Sequence, residues 1–292
     1  RPGEPAEWGG AAKTSFRTRT KNVLSPEDQA WHRSSMQSTP ADVVGQSPPS
    51  VHDRLAEIVR PGAGEVVVDL GCGTGRSLAA LAARGGAACL VGLDLAASRL
   101  SEAAARVAEA RLVRADLTRP LPLATASVDA VLCHNVIELL PEPTILLGEV
   151  GRVVRPGGRV VLSHTDFAGL VVHGAEPGLT DRILHAYAHV PQPWMSHIDA
   201  FAARRMPELA ARAGLVVERV EGHVLALRDL DGCRRLAEVA EVVRGHVRRG
   251  TVDVTADDVD AWWGQLADAD RRGAFLFAET ALITACTVTG PN

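Results

Sequence analysis

The chain is poor in lysine, tyrosine and methionine. Of its 31 basic residues only Lys13 and Lys21 are lysines, and Tyr187 is its single tyrosine. The basic residues are scattered and the formal net charge is -4. Tight nucleic-acid binding usually needs a basic face, so that class of partner is disfavoured. The one local excess, Lys13, Arg17, Arg19 and Lys21, reads as a solvated arm. Apolar runs are short. None approaches the roughly 18 residues of a membrane span, so no membrane partner is expected. The opening Arg1-Pro2-Gly3-Glu4-Pro5 lacks the apolar segment of a signal peptide. Five cysteines, Cys72, Cys89, Cys133, Cys233 and Cys286, are odd in number and widely spaced. No pair has metal-site or redox spacing, which argues against a disulfide framework. The cytoplasm is the natural compartment for such a chain.

What is present is ordinary globular material. The 292 residues are 46% hydrophobic and 23% charged. A chain of this length can bury about three quarters of its unfolded surface and needs no covalent staples. Residues 1–49 are rich in Pro, Gly, Ser, Thr and Gln and read as an N-terminal arm, partly disordered or folded over the body. Residues 50–292 read as one domain.

Its first helix is capped by Ser50, carries Val51, Leu55, Ile58 and Val59 on one stripe, and stops at Pro61. Apolar strands and helices then alternate. Strands are expected at 66–70, 89–94, 112–116 and 128–133, and a fifth begins at 160. Helices carry Leu78, Leu81 and Ala82, then Leu100, Ala104 and Val107, then Ile145, Val150 and Val153. Strands separated by helices of this length form βαβ units and a parallel sheet with right-handed crossovers. Residues 167–214 have helical pattern, 215–227 a sixth strand, 228–272 helical pattern again, and 274–288 a long closing strand.

The strongest motif runs Val66-Val67-Val68-Asp69-Leu70-Gly71-Cys72-Gly73-Thr74-Gly75-Arg76. Glycine lets the backbone turn sharply and approach a ligand without a Cβ in the way. The helix that follows aims free N–H groups at the same spot. A dinucleotide fold wants Gly-x-Gly-x-x-Gly, with a small residue at position 76. Arg76 stands there, which argues against a nicotinamide or flavin dinucleotide. Asp94 ends the second strand, 19 residues after Gly75. An acid at about that distance can accept both hydroxyls of a ribose. Asp116 ends the third expected strand and could accept from an adenine amino group. His134-Asn135 and His164 to Asp166 end the fourth and fifth. In an open parallel sheet these carboxyl ends share one edge, and ligands bind outside it.

Five segments together carry a resemblance. They are VVVDLGCGTG at 66–75, VGLDLA at 91–96, RADL at 114–117, SVDAVLCHNVIELL at 127–140 and EVGRVVRPGGRVVLS at 149–163. Over about residues 50–166 the chain resembles class I S-adenosylmethionine-dependent methyltransferases. It is most similar to the small-molecule branch that includes quinone-biosynthesis enzymes. The resemblance implies a Rossmann-like α/β fold, a seven-stranded mostly parallel sheet in order 3-2-1-4-5-7-6, its last strand antiparallel. It implies S-adenosyl-L-methionine as cofactor. Asp69, Gly71, Cys72, Gly73 and Gly75 would lie near the methionine moiety, Asp94 on the ribose and Leu95 against adenine. Asp116 would meet the adenine amino group, with Leu117 and His134 also lining the cofactor.

The expected reaction is methyl transfer to an oxygen or nitrogen of a small-molecule acceptor by direct displacement. His134 is the first candidate base, because an unperturbed imidazole titrates near neutrality. His164 and Asp166 are the second. His185 and His189 share a helix face and with His164 or Asp166 could gather a metal, but His-Ala-Tyr-Ala-His lacks the glutamate of a metalloprotease motif, and no metal is expected. The two helical inserts and the arm are expected to form a lid, with Tyr187, Trp194, Met195, Trp262 and Trp263 as candidate walls. The same sequence leaves open a methyltransferase fold used as a non-catalytic binding module, or a protein acceptor. It does not fix the oligomeric state, a homodimer being one form it allows.

Overall fold

The computed structural model of the chain describes residues 50–84, 88–191, 195 and 197–290. The expected arm over 1–49, its place in a lid, and Trp194 lie outside the described residues.

Helix α1 (Val51–Val59) opens with a reciprocal cap. Ser50 Oγ accepts from Asp53 N–H at 3.2 Å, and Asp53 Oδ2 accepts from Ser50 N–H at 3.1 Å. Two otherwise unpaired donors are satisfied this way. The helix stops at Arg60, whose φ of 48° turns the chain before Pro61.

The alternating section follows as β1 (Val66–Leu70), α2 (Arg76–Arg84), β2 (Cys89–Asp94), α3 (Ala97–Arg106), β3 (Arg111–Arg114), β4 (Val128–His134), α4 (Pro143–Val153) and β5 (Val154–Thr165). Strands β3, β2, β1, β4 and β5 lie side by side, every pair parallel. The later chain adds β6 (Val171–His173), α5 (Pro177–His189), α6 (Ala202–Arg212), β7 (Leu215–Leu227), α7 (Arg234–Arg249), α8 (Ala256–Arg271) and β8 (Leu276–Val288). Strand β8 runs antiparallel between β5 and β7. The seven long-range strands thus take the expected order, with the last inserted antiparallel beside the fifth.

Four expectations change in detail, the first being that the fifth strand begins at Val154 rather than at 160. The third strand ends at Arg114, two residues before Asp116, and the N–H of Ala115 makes the last ladder bond to β2, donating to Asp94 O at 3.0 Å. The closing strand begins at Leu276 rather than 274. The stretch 167–214 is not wholly helical: it contains β6. Strand β5 pairs β8 only as far as Ala281, and β8 runs on to Leu276. Three residues of β6 pair with 276–278 of this overhang. They satisfy backbone groups that would otherwise stay unpaired on that side.

Burial on both faces explains the continuous apolar strands. Val68, Leu70, Val131, Cys133, Val160 and Leu162 pack on one face against α4 and α6. Val67, Ala130, Leu132, Val161 and Ile283 pack on the other against α1 and α2. Asp69, flanked by Val68 and Leu70, therefore projects to the α1–α2 side, and so does His134, two residues after Leu132.

Leu132 is fully buried in the central strand. Leu132→Ala is expected to lower unfolding free energy by about 2–5 kcal/mol. A denaturant midpoint indistinguishable from that of the parent chain would contradict this placement.

Candidate active site

The loop after β1 is shaped by three glycines with φ of 70°, 51° and 81° at Gly71, Gly73 and Gly75. Gly71 is fixed by crowding. A Cβ there would lie 2.4 Å from Val136 Cγ2. Gly73 differs. A Cβ on it would meet nothing closer than Gly71 O at 4.0 Å, so the space before it is open. A positive φ and a bare approach are what a backbone cradle for a ligand requires.

This loop is hooked to the end of β2. The N–H groups of Gly71 and Cys72 both donate to Leu93 O, at 2.7 and 3.0 Å. Asp94 completes the brace. Its Oδ2 accepts from Gly73 N–H at 2.9 Å and its Oδ1 from Ala96 N–H at 2.8 Å. An ionised carboxylate has about four acceptor directions, so each oxygen keeps one more. Leu95, next along, is 58% exposed, an apolar side chain left in front of the sheet edge. Asp116 is exposed and its Oδ1 accepts from Thr118 N–H and Oγ–H at 2.9 and 2.7 Å, which holds the carboxyl below its usual range. Leu117 turns into the core on the α4 side. There it lines a cavity of about 300 Å³ with Leu140, Pro141 and Ile145, not the polar cluster at the glycine loop.

Asp69 is buried, and its Oδ2 has no hydrogen-bond partner. Burial, and secondarily the charge of Asp94, push its carboxyl up to about 8. Burial likewise pushes the Cys72 thiol up to about 12, which makes it inert near neutrality.

Two histidines flank the ends of β4 and β5. His134 sits edge-on to His52 of α1, ring centroids 5.4 Å apart, and its enclosed Nδ1 has no partner. Burial first, then His52 and His164, push His134 down to about 3. His52 Nδ1 bonds Ser77 Oγ at 3.0 Å, and burial with Arg76 holds it near 4. His164 is buried on β5. Its Nδ1 meets Asn135 Oδ1 at 2.8 Å, its Nε2 has no partner, and burial holds it at about 4. Glu138, in the turn after β4, is buried too. Its unpartnered Oε2 lies 3.5 Å from His164 Nδ1, and burial raises it to about 8. All these groups are neutral near pH 7, as water-poor surroundings demand.

Asp166 does not join them. Arg204 of α6 reaches both its oxygens, at 3.0–3.1 Å, and this ion pair takes the carboxylate out of the cluster.

The inserts close over the edge through one aromatic–ionic knot. Phe167 lies edge-on to His164 and to Tyr187 of α5, at 5.2 and 5.8 Å. Arg235 of α7 sits 5.1 Å over its ring and pairs with Glu238 at 2.6 Å and Glu279 of β8 at 2.9 Å. Tyr187 donates to Glu238 at 3.2 Å. Trp262 instead fills the core of the insert and donates to Thr180 Oγ1 at 3.1 Å. His185 and His189 stack at 4.1 Å, and among the described residues no three ligating side chains gather for a metal.

The sequence reading missed His52, Asn135 as a bonded partner, Glu138, Phe167 and Arg235. Glu138 had a signal: it is the lone acid in Val136-Ile137-Glu138-Leu139-Leu140. Arg235 and Phe167 had none, because only the folded inserts bring them to the edge.

Residues 68–162 match a family profile described as a methyltransferase domain. An uncharacterized methyltransferase of Mycobacterium sp. (strain JLS) is 37% identical over 164 residues, 53% of this chain and 64% of that protein. The demethylmenaquinone methyltransferase of Clavibacter sepedonicus is 41% identical over 107 residues, 36% of this chain and 42% of that one. The chain thus spans under two thirds of these relatives. Among solved structures, a Bacillus halodurans protein described as a methyltransferase superposes with a TM-score of 0.56 at 17% identity, covering 83% of this chain and 100% of that one. Residues 68–162 thus match a methyltransferase domain, and the fold is shared with the superposed structure. Among the described residues no helix is long and apolar enough to cross a membrane.

The residues present fit the cofactor. An open glycine cradle, a braced carboxylate with acceptors to spare and an orphaned buried acid suit a cationic nucleoside. Its positive charge would favour the ionised form of Asp69. Cofactor affinity should therefore tighten as pH rises from about 6 to about 8, by at most about tenfold per unit, with proton release on binding. Calorimetry in buffers of different ionisation enthalpy reads this, and Asp69→Asn should abolish it. A flat affinity in the parent chain would contradict the state assigned to Asp69.

Proposed function

We propose that the protein is an S-adenosylmethionine-dependent methyltransferase acting on an oxygen or nitrogen of a small-molecule acceptor. The observation that carries this reading is the meeting of two unlike halves at one sheet edge. One half is the braced glycine loop with Asp69 and Asp94. The other is a water-poor pair of neutral histidines under a helical roof.

The cofactor supplies an electrophilic methyl on a sulfonium, whose leaving group is a neutral thioether. The chain need not stabilise a new anion. Its tasks are alignment, exclusion of water and removal of one proton from the acceptor. Alignment alone can be equivalent to about 10⁵ M or more of neighbouring reactant. Asp94 and the Gly71–Gly75 loop fix the nucleoside. Phe167, Tyr187 and the Arg235 knot keep water out and hold the inserts over the edge. A base acting here must be uncharged at working pH, and both His134 and His164 are. His164 faces Phe167 on the acceptor side and takes the base role. His134, packed on His52, lies on the cofactor side. The roof favours a small acceptor over a macromolecule, and the scattered charge adds no basic face for nucleic acid. Five free cysteines fit a cytoplasmic setting.

The test is incubation with methyl-labelled cofactor and a fractionated cell extract, reading which mass gains a methyl group. Binding without transfer to any fraction would favour the non-catalytic module instead. Asp94→Ala should weaken cofactor binding by about 1.5–3 kcal/mol, the contribution of charged hydrogen bonds. An unchanged dissociation constant would overturn the ribose assignment.

A further inference from the structure

Asn135 follows β4 with a φ of 53°. Asparagine enters this left-handed region more readily than most residues. Its N–H donates to Ser163 O at 2.9 Å, which pins the turn to β5. Its side chain reaches the end of the same strand. One oxygen, Asn135 Oδ1, lies 2.9 Å from Thr165 N and 2.8 Å from His164 Nδ1.

These two contacts settle a proton. Ring protonation and amide orientation are normally inferred from the bonding network. Here the network has one solution. The Thr165 N–H is only a donor, so the atom facing it is the amide oxygen. An amide oxygen only accepts. His164 Nδ1 must then carry the hydrogen, and a neutral imidazole has just one. His164 Nε2 is bare, buried and without a partner.

We propose that Asn135 is a positioning residue that holds His164 as the Nδ1–H tautomer, so that its Nε2 lone pair accepts the acceptor's proton. The inference rests on the reading of His164 as the base. In the step it serves, the acceptor's O–H or N–H proton passes to Nε2. The freed lone pair forms the bond to the methyl carbon, and the electrons of the breaking C–S bond return to sulfur. The resulting imidazolium keeps its Nδ1–H bond to Asn135. The groups that face this ring are Glu138, 3.5 Å from Nδ1, with Asp199, Arg235 and His134 farther off. Glu138, neutral in the resting site, is the acid nearest that ring. Because one tautomer is fixed beforehand, no ring flip is needed at the moment of reaction.

Nitrogen NMR of histidine-labelled full chain, with no cofactor or acceptor present, reads the tautomer directly. The His164 signal is assigned by its loss in His164→Gln. The expected result is a protonated Nδ1 and a bare Nε2 in the parent chain. Asn135→Asp keeps an acceptor and tolerates the left-handed backbone, so the tautomer should persist. Asn135→Gly keeps the backbone freedom and deletes the acceptor. It should release the ring to a mixture and lower turnover of the labelled acceptor fraction several-fold, in proportion to the lost Nδ1–H population, with cofactor affinity unchanged. A parent-chain His164 protonated at Nε2 would overturn the proposal without need of any variant. So would an Asn135→Gly chain with tautomer and turnover both intact. If the tautomer is as expected but His164→Gln turns over like the parent, the base assignment itself fails, and Asn135 has no part in the reaction.

Discussion

Everything at the sheet edge depends on how one carboxylate shares two backbone amides. Asp94 ties Gly73 of the first turn to Ala96 of the second. The tie matters because three of the loop's five residues are glycines; of the other two, Thr74 is held by Arg106, which donates to its Oγ1 at 2.9 Å. All three glycines have positive φ, and ordering glycine is costly. Asp94 and the carbonyl of Leu93 offset that cost by anchoring four amides, those of Gly71, Cys72, Gly73 and Ala96. A loop so anchored presents a fixed concave surface. Without it Asp69 would lie beside a floppy turn, and the open space before Gly73 would not be defined.

The second constraint is dryness. Asp69, His134, Glu138 and His164 each carry a buried polar atom without a partner. Such orphans are uncommon in native proteins, and each calls for an explanation. They are tolerable here because each group is neutral: the acids hold their protons and the histidines shed theirs. A cation arriving beside Asp69 inverts part of that arrangement, and a proton arriving at His164 inverts another. On the proposed reading, the site is built from groups at rest in one charge state and used in the other.

Much of this was legible from residue order, and the reasons are physical. Strands buried on both faces announce themselves as continuous apolar runs, so β1, β2, β4 and β5 and their parallel pairing followed from the sequence. The glycine spacing and the acid ending β2 are local features that survive without the fold. What failed to show was long-range or conditional. Strand β6 exists only because β8 outruns β5, which no local pattern of Val171-Val172-His173 reveals. Asp166 looked like an edge acid, but Arg204 comes from a helix 38 positions away. Trp262 looked like a pocket wall, and its indole proved to have a partner in Thr180 inside the insert core. Glu138 and Arg235 gain their surroundings from four separate elements that only tertiary structure assembles.

The most direct test is a crystal structure of the full chain grown with S-adenosylhomocysteine. The account predicts the nucleoside in front of Gly73, its ribose hydroxyls on the spare acceptor directions of Asp94, and its sulfur facing the His134 and His164 ends of β4 and β5. A nucleoside bound elsewhere, or an Asp94 that still meets only Gly73 and Ala96 with the ligand present, would contradict it.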